Sequence, residues 1–236
     1  MRLNKFISST GICSRREADK LIEEGKVLIN GAVAAFTSQV TEQDVVTVNG
    51  QTLQLRPQEV IIALHKPRGI TCTTELEIEG NIIDYIQYPE RIFPIGRLDK
   101  DSTGLILLTN NGDLVNAMLR SEHHHSKEYV VRVDKPVTAE IIKKLSAGIQ
   151  IYNPVHNRYE TTDPCEVTLI NPRTFRMILT QGLNRQIRRM CTACDLHVQS
   201  LKRVRFLTIL LGELKEGSWR QLTPDEITHL KQDLKL

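Results

Sequence analysis

Residues 96–108 read Gly-Arg-Leu-Asp-Lys-Asp-Ser-Thr-Gly-Leu-Ile-Leu-Leu. A charged, turn-forming segment runs without interruption into four apolar residues, the pattern of a loop entering a buried strand. Asp99 thereby sits on a loop fastened to a rigid element, a position where catalytic side chains concentrate. An Asp in a turn is more often a turn former or a helix cap, so the rest of the chain has to decide its role.

The segments around this stretch outline an α+β protein. Val60–Leu64 reads as a fully buried strand ended by Lys66-Pro67-Arg68-Gly69, with further strands expected at 104–109, 128–133, 165–170, 174–180 and 197–211. Helical patterns fall at 112–119, 138–147, 184–194 and 224–233, the last opened by Thr223-Pro224-Asp225-Glu226, a cap with proline at the first helical position. Strands adjacent in sequence and mixed with helices give helices flanking a mixed sheet. Residues 1–56 form a separate small unit. It has a capping box at Ser14-Arg15-Arg16-Glu17, a helix stopping near Gly25, a strand turning at Asn30-Gly31 and a hairpin at Asn49-Gly50. Arg56-Pro57-Gln58 is the expected linker, so the domains are 1–56 and 57–236.

With 236 residues, 40% hydrophobic and 25% charged, the chain is long enough for a core without staples. No apolar stretch approaches the roughly 18 residues of a membrane helix, and the first twenty residues hold no apolar signal core. Five scattered cysteines suit reduced thiols, which points to the cytoplasm. The net charge is only +3, yet between Arg185 and Arg205 six Lys or Arg residues face one acid, Asp195, a local footprint for nucleic acid. Arg15 and Arg16 occupy the first turn of a helix, where the macrodipole disfavours cations. A phosphate held by these arginines and the helix amides would account for them. Cys191 and Cys194 have the spacing of half a zinc site, but no second pair lies nearby. The run His123-His124-His125 reads as a polar loop, and Trp219 as an anchor for the C-terminal segment. Glycine-rich phosphate loops are absent, so neither a nucleotide cofactor nor a metal is expected.

Taken jointly, four motifs resemble the RsuA/RluB/RluE/RluF family of ribosomal RNA pseudouridine synthases. They are Leu64-His65-Lys66-Pro67-Arg68-Gly69, Gly96–Leu105, Lys127-Glu128-Tyr129, and Gln181-Gly182-Leu183-Asn184-Arg185-Gln186-Ile187-Arg188-Arg189-Met190. Arg2-Leu3-Asn4-Lys5 … Ser14-Arg15-Arg16-Glu17 … Gly25-Lys26-Val27 … Asn30-Gly31 resembles the RNA-binding S-four domain. The resemblance implies a pseudouridine synthase fold, a bent, mostly antiparallel mixed sheet flanked by helices, behind a small N-terminal RNA-binding unit. It also implies isomerisation of a uridine in structured RNA, foremost large-subunit ribosomal RNA, by a monomer. Asp99 would be the nucleophile, attacking the ribose anomeric carbon or the uracil ring; removal of a ribose proton is the third option. An ionised carboxylate suits all three. Arg188 would pair with Asp99, Tyr129 would stack on the flipped base, and Arg97 would fill the space that base leaves. Ile187 would pack beneath the base. Lys127, Arg185 and Arg189 would meet phosphates; Lys66 and Pro67 would be structural, packing against the catalytic loop, with a lesser chance that Lys66 touches RNA. Arg2, Lys5, Arg15, Arg16 and Lys26 would face RNA from the N-terminal unit.

Asp101 invites a glycosidase-like pair with Asp99; it is read instead as structural, because isomerisation needs neither water nor a separate leaving-group acid. A small-subunit or transfer RNA target, and a non-catalytic assembly protein that keeps the fold, stand as alternatives.

Overall fold

The computed structural model describes residues 1–55, 58–119, 125–155 and 157–236. Arg56 and Pro57 of the expected linker, and His123 and His124, lie outside the described residues. The chain divides into two compact units. The first is Met1–Val60 with Tyr88–Ile92 and Thr109–Gly112, and the second holds the remainder.

The first unit opens with helix α1 (Leu3–Ser9) and helix α2 (Arg15–Glu23), followed by strands β1 (Val27–Ile29), β2 (Ala32–Val33), β3 (Val46–Val48) and β4 (Gln51–Thr52). The strands pair in the order β2-β1-β3-β4. Both halves of the Ser14/Glu17 capping box form, so two otherwise orphaned amides are satisfied where α2 begins. Asn49 and Gly50 both take positive φ, as the two-residue turn between β3 and β4 requires. Leu3, Phe6 and Ile7 of α1 pack with Ala18, Ile22, Val27, Val46 and Val48 in one small core. The sequence reading did not give α1: it is short and starts at Arg2 without a side-chain cap. Its apolar spacing of i, i+3, i+4 is the signal that could have found it.

The second unit contributes β5 (Ile61–Lys66), α3 (Ile82–Ile86), β6 (Phe93–Pro94), β7 (Thr103–Thr109), α4 (Gly112–Leu119), β8 (Lys127–Val133) and α5 (Ala139–Ala147). Next come β9 (Gln150–Asn153), β10 (Arg158–Thr161), β11 (Glu166–Asn171), β12 (Thr174–Leu179), α6 (Gln186–Ala193), β13 (Val198–Phe206), β14 (Ile209–Leu210), β15 (Trp219–Gln221) and α7 (Pro224–Leu234). Among the described residues these build a nine-stranded sheet ordered β11-β12-β8-β13-β7-β5-β15, with β14 on β13 and β6 on β7. Its pairings are antiparallel along β11-β12-β8-β13 and at β5-β15, and parallel where β13 meets β7.

Two cores cover the sheet. One gathers Val131, Val133, Leu145, Phe175, Met177, Ile187 and Met190 under α5 and α6. The other gathers Ile61, Leu105, Leu107, Leu114, Phe206 and Leu230 under α4 and α7. The strand expected over 197–211 is two strands, because Leu207 adopts φ 52 and folds β14 back onto β13. The hairpin β9–β10 was not expected from the sequence either; its four paired positions alternate too weakly in hydropathy to stand out.

Candidate active site

Asp99 lies on the loop between β6 and β7. Ile95 and Leu98, both buried, anchor that loop, and the Ser102 amide donates to the Asp99 carbonyl at 3.0 Å to close the turn. A second segment fastens it from outside. The Gly69 amide donates to the Lys100 carbonyl at 2.8 Å, and the Leu98 amide donates to Cys72 Sγ at 3.4 Å. Lys66 closes the set, its Nζ donating to the carbonyls of Pro67 at 2.8 Å, Ile70 at 2.9 Å and Lys100 at 3.4 Å. Lys66, read foremost as structural, is 0% exposed with its ammonium engaged by three backbone acceptors, which sets aside the lesser option of RNA contact.

The loop ends in β7, where Gly104 adopts φ 105 beside β13. A Cβ there would stand 2.2 Å from the Arg203 carbonyl oxygen, so only glycine lets the two backbones approach. Arg203 is itself buried, with Nε donating to the Leu105 carbonyl at 2.7 Å and its guanidinium 5.2 Å from the Phe206 ring.

The Asp99 carboxylate is 28% exposed and is met by two guanidinium groups from the α6 region. Arg188 Nε lies 3.7 Å from its Oδ2, and Arg185 Nη1 lies 3.6 Å from the same oxygen. Arg188 is aimed by two further contacts, Nη2 donating to the Asp101 carbonyl and to Ser102 Oγ at 3.3 Å each. Its buried Nε has no hydrogen-bond partner among the described residues, so the contact with Asp99 is an ion pair rather than a hydrogen bond. Burial and then the neighbouring Arg185 pull the Arg188 pKa down, opposed by Asp99 and Asp101. Arg185 caps α6 in the left-handed conformation, and its Nη2 reaches Asp101 Oδ2 at 4.0 Å. Sequence reasoning gave Arg185 no carboxylate partner; its position four residues after Gln181, at a helix start, was the available signal.

Tyr129 stands in β8 opposite Met177 of β12 and Arg203 of β13, and packs against the core cluster that also takes Ile187 and Met190 of α6. Ile187 is only 4% exposed and belongs to the same core cluster. Arg97 is exposed on the loop. Lys127 donates to the His125 carbonyl at 3.0 Å, with its Nζ 5.4 Å from the Phe206 ring. Burial, and then Arg203, push its pKa down to about 8.

The basic footprint between 185 and 205 is largely used up inside the fold. Arg189 donates to the Asn184 carbonyl and side chain at 2.9 Å and to the Tyr152 carbonyl at 3.1 Å. Arg205 pairs with Glu128 at 2.9 Å and also bonds Ser126 and Leu207. Arg203 is 2% exposed. In the N-terminal unit Arg2, Arg15, Arg16 and Lys26 are exposed, although Lys26 pairs with Glu24 at 2.6 Å; Lys5 is half-buried. Burial raises the pKa of Cys194 and, chiefly through the same cause, takes that of Cys191 up to about 12, which suits packed thiols. Among the described residues no group of three His, Cys, Asp or Glu side chains could hold a metal, and no helix is long and apolar enough to cross a membrane.

The Asp99 carboxylate thus stands between two guanidinium groups on the loop that leads into β7. Residues 60–193 match the RNA pseudouridylate synthase family, and residues 1–46 match the S4 domain. The chain is 51% identical over 232 residues to the dual-specificity RNA pseudouridine synthase RluF of Escherichia coli (strain K12), covering 98% of this chain and 78% of that protein. It is 35% identical over 237 residues to the ribosomal large subunit pseudouridine synthase B of Bacillus subtilis (strain 168), covering 98% and 95%. A crystal structure of a pseudouridylate synthase superposes with a TM-score of 0.71 at 29% identity, covering 98% of this chain and 99% of that one. The chain belongs to the RNA pseudouridylate synthase family, in the group that carries an N-terminal S4 domain. It is an RNA pseudouridine synthase, an isomerase that converts uridine to pseudouridine within RNA.

Proposed function

We propose that this enzyme acts on a uridine in structured large-subunit ribosomal RNA, with Asp99 as the group that opens the reaction. The observation carrying this reading is the Asp99 carboxylate, held on a loop tied down by Lys66 and flanked by Arg188 and Arg185. Arg188 fixes the direction of the carboxylate throughout, and Arg185 adds to that hold until substrate arrives. Tyr129 stacks on the flipped base, and Arg97, exposed on the same loop, fills the gap left in the RNA. The glycosidic bond breaks, the base turns, and carbon 5 bonds to the ribose while its proton leaves. Arg185 leaves the carboxylates to meet a phosphate once substrate arrives, and Lys127 lies in reach of the same backbone. Arg189 keeps two of its five N–H donors for that backbone.

The small unit, taken as residues 1–56, docks RNA through Arg2, Lys5, Arg15, Arg16 and Lys26, and the catalytic domain is 57–236. The enzyme works in the cytoplasm as a monomer, without nucleotide or metal. The large-subunit target follows the Bacillus relative's name, and the words "dual-specificity" in the Escherichia relative's name favour a second RNA substrate, for which small-subunit ribosomal RNA and transfer RNA are the candidates.

The test uses ribosomal and transfer RNA transcripts tritiated at carbon 5 of uridine, incubated with wild type and Asp99→Asn. Wild type is expected to release tritium and Asp99→Asn to release none while still binding RNA. Turnover by Asp99→Asn would remove Asp99 from the reaction.

A further inference from the structure

The β9–β10 hairpin carries two large rings at directly opposed positions, Tyr152 and Tyr159. Their centroids are 5.4 Å apart with planes at 61°, and they are 43% and 68% exposed. Their edge-to-face contact helps hold the two strands together, but it leaves the outer ring surfaces in water. The other side of the hairpin is firmly built. Ile151 enters the core, and Asn153, also buried, donates to Glu160 at 2.7 Å. Arg158 Nε donates to the same Glu160 carboxylate at 2.7 Å, so the local charge is compensated. The hairpin is also joined to the catalytic helix: Arg189 donates to the Tyr152 carbonyl, and the same guanidinium grips Asn184 in the turn ahead of Arg185. The residue before Arg189 is Arg188, which pairs with Asp99.

A rigid, charge-neutral pair of exposed rings, fastened to the helix that lines the active site of an RNA-modifying enzyme, suits the π-face of a nucleobase and not a phosphate. We propose that Tyr152 and Tyr159 form a stacking platform for an unpaired nucleobase of the substrate RNA adjacent to the target uridine. This rests on the proposed site at Asp99, because one helix, α6, carries both the arginine that meets Asp99 and the arginine that holds the hairpin.

The experiment uses the full chain and a substrate RNA in which fluorescent 2-aminopurine replaces, one at a time, each unpaired base around the target uridine. Wild type is expected to quench the fluorophore at one position. Tyr152→Ala and Tyr159→Ala should each lose that quenching and raise KM by about 5- to 150-fold, the cost of one lost base stack, with kcat retained at saturating RNA. Tyr→Phe at either position keeps the ring and should restore both readouts. Because no phosphate contact is lost, the KM ratio of variant to wild type should hold from low to high salt. Wild-type KM and quenching in both alanine variants would overturn the platform. So would a Phe variant as impaired as the Ala variant, or a KM ratio that collapses with salt. Thermal melts of the variants, whose altered side chains are exposed, separate misfolding from lost stacking. Failure of the Asp99 reading is distinguishable, since it would show as tritium release by Asp99→Asn, whatever the quenching by the tyrosine variants.

Discussion

Lys66 and Lys127 put the same side chain into two settings, and the difference is a matter of acceptors. Lys66 is fully buried but gives its three N–H donors to three carbonyls, so its charge serves as a clamp between the 66–70 segment and the catalytic loop. Burial nonetheless pulls its pKa down, opposed by Cys72, Asp101 and Asp99. Lys127 has one carbonyl, one ring face and a neighbouring arginine, so burial and repulsion prevail and its pKa falls to about 8. Between about pH 8 and the ordinary lysine value near 10.4 the unfolded chain binds the extra proton. Stability therefore rises with pH across that window, and the cost is fully present below it. Lys127→Met is expected to stabilise the fold at pH 7 by about 1–2 kcal/mol, allowing for solvent screening of a part-exposed ammonium. Urea unfolding of both proteins from pH 7 to 10.5 should show that gain shrinking through the window.

At the scale of elements, the active site depends on how closely β7 and β13 approach. Gly104 is the point of contact, and any side chain there meets the Arg203 backbone. Gly104→Ala combines a left-handed φ with a backbone clash and is expected to cost about 3 kcal/mol or more. A lower urea midpoint together with reduced kcat would report it, because the strand that moves is the one leading out of the Asp99 loop. α6 shows the opposite relation of pattern to structure. Its basic run, Arg185 to Arg189, suggests a face turned to RNA, yet Arg185 and Arg188 are drawn to carboxylates and Arg189 to carbonyls and an amide. Charge counted along a segment cannot register this, because every one of those acceptors, apart from Asn184, comes from a distant stretch of chain.

For the whole molecule, the chain divides into two units, and the first, which matches the S4 domain, has a core of its own. The exposed Arg15 and Arg16, at the start of a helix whose amides are otherwise capped by Ser14, are the expected phosphate contacts. Arg15→Glu and Arg16→Glu should raise KM for RNA. Each should also reduce the slope of log KM against log salt by about one for the phosphate contact it removes. Binding measured between low and moderate salt checks this, and an unchanged slope would show that the arginines touch no phosphate.

The sequence by itself determined the elements and their kind. Capping boxes at Ser14 and Thr223, the Asn49-Gly50 turn and the unbroken apolar runs of β5 and β7 are local codes, satisfied by neighbours within a few residues. It also determined the loop around Asp99, because a charged turn running into an unbroken apolar stretch is a local code for a loop entering a buried strand. The tertiary structure alone decided which charges face water. Arg203 and Arg205 read as part of a basic surface footprint, yet Arg203 is taken up by the Leu105 carbonyl of β7 and Arg205 by the Glu128 carboxylate of β8. It alone placed Arg185 on Asp99 and the paired tyrosines next to the catalytic helix. The physical reason is reach: backbone propensity acts over one turn, whereas the fate of a buried charge depends on partners that only folding brings together.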